Sequence, residues 1–250
     1  MVDSIYDPKV VLIVQARMNS TRLPGKSLMD LDGKPLISQI IERLILCREV
    51  DELILAIPDT KDDDILASVI AAYPVTVFRG SENNLLDRYY QAALNSNADI
   101  VGRFPADNPV PEPLEIDKII IHHKARTAPG FSSNLAEIHG SGYPDGIGAE
   151  MFDFSLLKDA WLNEKDPEKL EHVHLNFYNY ATGEGVNEDL CPISTITCPN
   201  HFARPDLILD VNTHDQYLFL KEIYNYFSKT NKNFRIIDII QWYDNVYNKI

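Results

Sequence analysis

The chain has 250 residues and a formal net charge of −14, from 37 acidic and 23 basic side chains. That balance argues against a nucleic-acid or anionic-membrane partner, but not against a nucleotide, whose phosphates need only local cations. Apolar content of 45% is ample for the core of one α/β domain, and three cysteines are too few and too odd in number for a disulfide framework. No apolar segment follows Met1 as in a signal peptide, and no apolar run approaches roughly 18 residues, so a soluble, cytoplasmic protein is expected.

Residues 1–8 read as a polar lead-in. Val10 to Val14 is a continuous apolar run, the pattern of a strand buried on both faces. The polar stretch after it holds Arg17, Arg22 and Lys26, and no acid occurs from Gln15 to Met29. Three cations, the hydroxyls of Ser20 and Thr21 and a Pro24-Gly25 turn can close around a polyanion, with main-chain N–H groups as further donors. The loop therefore reads as a triphosphate cradle. Gly25-Lys26-Ser27 imitates the end of a Walker P-loop, but Ser20 stands where its first glycine belongs, and Pro35 breaks the long helix such a lysine should open.

Apolar spacing predicts a helix over 36–47, a strand over 53–57, a helix over 63–72, a strand over 75–78, a helix over 84–94 and a strand over 100–104. This alternation predicts a doubly wound, mostly parallel α/β sheet of Rossmann-like type, with ligands beyond the carboxyl ends of its strands. Asp107 follows the fourth strand directly. It can serve a metal–phosphate complex or cap a turn before the helix expected over 113–124. The alternation then fails over 125–200, where prolines, glycines and aromatics cluster. The stretch reads as an irregular excursion whose aromatics and prolines look like interface rather than core. His172, His174, Cys191, Cys198 and His201 lack zinc spacing. A strand is expected to begin at Leu207 and lead into a helix with Tyr217, Leu220, Ile223 and Phe227 inward; a terminal helix spans 236–247.

The motif QARMNSTRLPGKSLMDLDGKPLI closely resembles the opening motif of the nucleotide-sugar cytidylyltransferases, among them spore-coat polysaccharide cytidylyltransferase-like proteins and the CMP-Kdo and CMP-acylneuraminate synthetases. Asn19 stands where relatives have Gly. The resemblance covers most of the chain and is weakest over 125–200. It implies one nucleotidyltransferase domain over 1–250, with a nucleotide-binding half (1–124), an acceptor and dimer excursion (125–200) and a return segment (201–250).

The resemblance also implies roles. Gln15, Ala16, Arg17, Ser20, Thr21, Arg22, Lys26, Arg79, Ser81, Arg88 and Asp107 would bind nucleotide, with Arg17 and Lys26 stabilising charge during transfer. For Arg79, Ser81 and Arg88 the alternative is a capped helix with a solvated arginine. Tyr143, Asp145 and Glu150 match the acceptor-sugar motif, although Gly148 stands where relatives often carry Asp. Glu171 and His172 match an E-H pair; the alternative is an ordinary helix face. Ala106-Asp107 fits the family's metal-binding Asp motif. In Leu209-Asp210-Val211-Asn212-Thr213 relatives have a second metal-binding Asp at the Asn212 position. Asn212 is preferred for Mg²⁺ through its carbonyl oxygen, with Asp210, expected on the opposite side of a strand, in reserve.

The implied reaction joins CMP from CTP to an acidic or related sugar for surface polysaccharide biosynthesis, releasing pyrophosphate, in a homodimer. Alternatives are a phosphonate or polyol-phosphate acceptor, a non-catalytic nucleotide sensor and a P-loop kinase.

Overall fold

A computed structural model describes residues 7–19 and 23–247. Ser20, Thr21 and Arg22, and most of the polar lead-in, lie outside the described residues.

The first half follows the expected alternation. Strand β1 occupies Val10–Gln15. A small hairpin, β2 (Asp30–Leu31) and β3 (Lys34–Pro35), turns through Asp32 and Gly33 with φ of 54° and 77°. Both values are left-handed, as a two-residue hairpin turn requires, and Asp and Gly tolerate them. Then come α1 (Leu36–Leu44), β4 (Glu52–Pro58), α2 (Asp64–Ile70), β5 (Thr76–Gly80), α3 (Leu85–Asn95), β6 (Ile100–Pro105) and α4 (Pro113–Lys124). Asn84 caps α3, its side chain accepting the Asp87 N–H at 2.8 Å. The second half supplies β7 (Phe131–Ser133), β8 (Glu150–Asp153), α5 (Phe154–Asn163), α6 (Pro167–Glu171), β9 (Tyr178–Asn179), β10 (Glu184–Gly185), β11 (Ile193–Ser194), α7 (His214–Thr230) and α8 (Ile236–Asn245).

Seven strands form one sheet in the order β11-β7-β8-β6-β1-β4-β5. The four strands β6, β1, β4 and β5 run parallel, and β8 lies antiparallel to both β6 and β7. Helices cover both faces. Val10, Leu12 and Val14 pack with Leu36, Ile116, Leu220 and Ile239 on one side. Val11 and Ile13 pack with Leu86, Tyr89 and Leu157 on the other. Neither face of β1 meets water, so its apolar run does not alternate. From β1 the chain winds outward through β4 to β5, then returns to place β6 on the other side of β1. The carboxyl ends of β1 and β6 flank this reversal, where a doubly wound sheet opens its ligand crevice. Among the described residues no helix is long and apolar enough to cross a membrane.

Two expectations need correction. The stretch 125–200 does not stand apart from the sheet, since β7, β8 and β11 extend it. Its aromatics are core: Phe131, Phe152, Phe177 and Tyr178 are all buried, and the Phe152 and Phe177 rings stack at 4.6 Å. These strands are two to four residues long, too short for a period to register in sequence. At Leu207 no strand forms. Asp145 and Ile208 make an isolated bridge, with Asp145 N–H donating to Leu207 O at 3.0 Å and Leu209 N–H to Asp145 O at 3.2 Å.

The glycine at 148 also has a physical reason. A Cβ there would lie 2.5 Å from the carbonyl oxygen of Asn134. Asn134 is itself fixed, donating to Glu115 O at 3.0 Å and accepting the Ala149 N–H at 2.9 Å. Restoring the relatives' residue with Gly148→Asp is therefore expected to cost about 1–3 kcal/mol or more through overpacking, read as a lowered thermal midpoint.

Candidate active site

The polar loop after β1 is anchored at both ends. Met18 N–H donates to Asp63 Oδ1 at 2.8 Å, and Gly25 N–H closes back onto Met18 O at 3.3 Å. Gly25 has φ of 72°, a left-handed conformation that favours glycine, and Lys26 begins a single 3-10 turn directly after it. This turn aims Lys26 across the crevice. Its Nζ donates to Val211 O at 2.8 Å and to Asp107 Oδ2 at 3.1 Å. The loop at the end of β1 thus meets the loop at the end of β6.

A cleft opens at this point. Gln15, Ala16, Arg17, Lys26, Arg88, Arg103, Asp107, Glu171 and His172 line it. Arg17 reaches across it, with Nη2 donating to Glu171 Oε1 at 2.9 Å. Both described cations of the expected cradle are thereby matched with carboxylates of the chain, Arg17 with Glu171 and Lys26 with Asp107. A polyanionic ligand can replace these partners at little cost on the half-exposed Arg17 pair, because such ion pairs contribute only about 0–1 kcal/mol.

Other expected residues lie elsewhere. Arg79 does not line the cleft; it donates to Asp64 Oδ1 at 2.6 Å, tying β5 to α2. Arg88 does line it, but is almost fully buried and holds the Ser81 carbonyl through Nε and Nη2, at 2.9 and 2.7 Å. Ser81 Oγ accepts the Asn84 N–H. Ser81 and Arg88 thus shape the loop before α3. Tyr143 is 1% exposed and its hydroxyl donates to Glu115 Oε2 at 2.7 Å, within the core away from the cleft. Glu150 is fully buried behind Arg103, accepting from its Nη1 at 2.8 Å. In these positions neither Tyr143 nor Glu150 presents its side chain to the cleft.

Arg103 also lines the cleft and was not among the expected site residues. Its signal is present in sequence, as a lone charge inside an otherwise apolar strand.

Next to Lys26 lie the oxygens that suit a hard cation. Asp210 and Asn212 do not point to opposite sides, because residues two apart in extended chain share a face. The Asn212 Nδ2 donates directly to Asp210 Oδ2, and Gln216 Nε2 donates to Asp210 Oδ1 at 2.9 Å. Gln216 Oε1 accepts the Asn212 N–H at 2.8 Å, so the capped start of α7 orients the pair. Asn212 Oδ1 is buried without a hydrogen-bond partner among the described residues, which fits a carbonyl oxygen reserved for a cation. Among the described residues no three His, Cys, Asp or Glu side chains converge as a ready metal set. Two carboxylates plus one amide oxygen suit Mg²⁺, which shares its positions with phosphates and water.

Asp145 sits beside this group. Burial first, then the Glu137 and Asp210 carboxylates, push its pKa up to about 7. The folded state therefore holds a proton that the unfolded chain, at about 3.8, releases earlier. The associated stability is complete below the unfolded pKa and is lost as pH rises through about 7. In chelator, the thermal midpoint should fall between pH 5 and pH 8, and Asp145→Asn should flatten that slope.

The chain's likeness to known proteins accords with this geometry. The cytidylyltransferase family model matches residues 11–242. The spore coat polysaccharide biosynthesis protein SpsF of Bacillus subtilis is 29% identical over 220 residues, 86% of each chain. A 3-deoxy-manno-octulosonate cytidylyltransferase of Anaeromyxobacter dehalogenans is 39% identical over 113 residues, 44% of this chain and 46% of that one. The solved structure of a cytidylyltransferase from Leptospira borgpetersenii superposes with a TM-score of 0.84 at 26% identity, covering 97% of this chain and 96% of that one. A cleft at the β1–β6 reversal, lined by residues of a cationic loop and by an aspartate, thus stands in a chain that belongs to the cytidylyltransferase family.

Proposed function

We propose that this protein transfers CMP from CTP to an acidic or related sugar, releasing pyrophosphate. The supporting observation is the pairing of Lys26 with Asp107 across the crevice at the carboxyl ends of β1 and β6. In this reading Lys26 is the cation for phosphate and Asp107 the carboxylate for metal, and the pairing supports their acting at one point.

In this reading Arg17 and Lys26 exchange their chain carboxylates for phosphate oxygens. An acceptor oxygen attacks the α-phosphorus, and the bond to the pyrophosphate oxygen breaks. Lys26 is held in place before the reaction, so its charge stabilises the transferring and departing groups without reorganisation. Asp107 and Asn212, with Asp210 in reserve, would hold Mg²⁺, which supplies neutralisation of phosphate charge. Release of Glu171 from Arg17 frees that carboxylate, together with His172, for the acceptor side. The Bacillus subtilis relative is named for spore-coat polysaccharide biosynthesis, and the reading extends this to surface polysaccharide made from a cytoplasmic nucleotide sugar. It also includes a homodimer, built through the segment 125–200; sedimentation showing only monomer at micromolar concentration would refute that part.

The decisive assay is pyrophosphate release with each nucleoside triphosphate, Mg²⁺ and a panel of sugar acids and polyol phosphates. CTP alone should support release. CTP binding without release from any acceptor would favour a sensor, and transfer of the terminal phosphate would overturn the reading.

A further inference from the structure

Arg103 lies in mid-strand on β6 and pairs across the sheet with Glu150 on β8. Their side chains form an ion pair, and the Tyr180 hydroxyl donates to the same Glu150 oxygen at 3.0 Å. Arg103 is 9% exposed and Glu150 fully buried. Burying such a pair is costly, and apolar residues of the same volume often serve stability as well or better. Stability alone therefore gives a poor account of a guanidinium that lines a polar cleft.

The hydrogen bonding shows which edge is spare. A guanidinium has five donors. Among the described residues Arg103 donates through Nη1 only, and its buried Nε has no partner. The unused Nε–Nη2 edge is the one that receives a carboxylate through two parallel hydrogen bonds. Its surroundings also differ from those of the cradle. Lys26 sits among Asp107 and Val211, whereas Arg103 is backed by Glu150, Tyr180 and His174, all beyond residue 149. The Arg17–Glu171 pair lines the same cleft. Arg103 thus lines it on partners separate from those of Lys26.

We propose that Arg103 selects the acceptor, its Nε–Nη2 edge receiving the acceptor's carboxylate while Glu150 and Tyr180 position the guanidinium. This rests on the nucleotidyl-transfer reading above. It makes a carboxylate the group that Arg103 recognises, in preference to a bare hydroxyl.

Calorimetric titration tests it. The probes are 3-deoxy-manno-octulosonate, N-acetylneuraminate and gluconate, each beside its methyl ester, with CTP titrated into the same samples. At least one acid should bind the parent protein and its ester should not. Arg103→Met should weaken that acid by roughly 10–100-fold, the worth of a charge-assisted contact, while CTP affinity holds. Because Arg103→Met strands a buried carboxylate, the double variant Arg103→Met/Glu150→Gln is measured beside it, with CTP binding as the check on folding. Equal acid binding with and without Arg103, esters binding as well as acids, or no acid binding the parent would each overturn the proposal. Absence of CTP binding would overturn the nucleotidyl-transfer reading instead, and the acid titrations would still report on Arg103.

Discussion

Lys26→Ala is expected to lower pyrophosphate release by roughly 10²–10³-fold, the usual cost of removing one preorganised charge contact. The side chain is 12% exposed and held at two points, Val211 O and Asp107 Oδ2. It is therefore already placed before substrate arrives. The backbone that presents it is set independently, by Gly25 in the left-handed region and by the Leu28 N–H bonded to Gly25 O at 2.9 Å. Removing the amine should leave that turn, and the melting curve, close to those of the parent. Asp107 loses one partner but keeps solvent access. The loss should fall on turnover more than on the KM for the acceptor. Near-normal turnover with a normal melt would show that the cradle lies elsewhere.

The oxygen set around Asp107 gives the second large effect. Asp107→Asn should lower activity by on the order of 10²-fold or more and raise the Mg²⁺ needed for half-maximal turnover, since hard cations favour carboxylate oxygen. Asn212 and Asp210 should then separate. Asn212→Ala deletes an oxygen with no other use among the described residues and should be severe. Asn212→Asp should tighten Mg²⁺, although it places a new carboxylate against Asp210. Asp210→Ala should be intermediate if Asp210 mainly orients Asn212, through their direct hydrogen bond and the shared Gln216. A reversed order, with Asp210→Ala severe and Asn212→Ala mild, would make Asp210 the ligand. Unchanged Mg²⁺ titrations in all of them would remove this group from the metal site.

Much of this was legible in the chain. The run Val10 to Val14, the acid-free loop to Met29 and the alternation through Lys124 are local patterns. Each reflects an environment that is the same along the whole element, so the period of apolar residues reveals it. The strand ends then place Lys26 and Asp107 by the general rule for doubly wound sheets.

The remainder depended on partners distant in sequence. Arg79 and Arg88 look alike beside a nucleotide loop, yet one meets Asp64 and the other the Ser81 carbonyl. Tyr143 and Glu150 sit in a motif that resembles an acceptor site, but their polar groups are consumed by Glu115 and Arg103. The aromatics of 131–178 read as interface because β7 and β8 are too short to show a period; only the pairing of β8 with β6, and of β7 with β8, makes them core. Composition and spacing determined that this chain is a doubly wound α/β protein with a cationic loop at the end of its first strand. Which charges remain for a ligand was decided by tertiary structure. A side chain's chemistry is local, whereas its hydrogen-bond partners and its burial come from chain far away in sequence, 185 residues in the case of Lys26 and Val211.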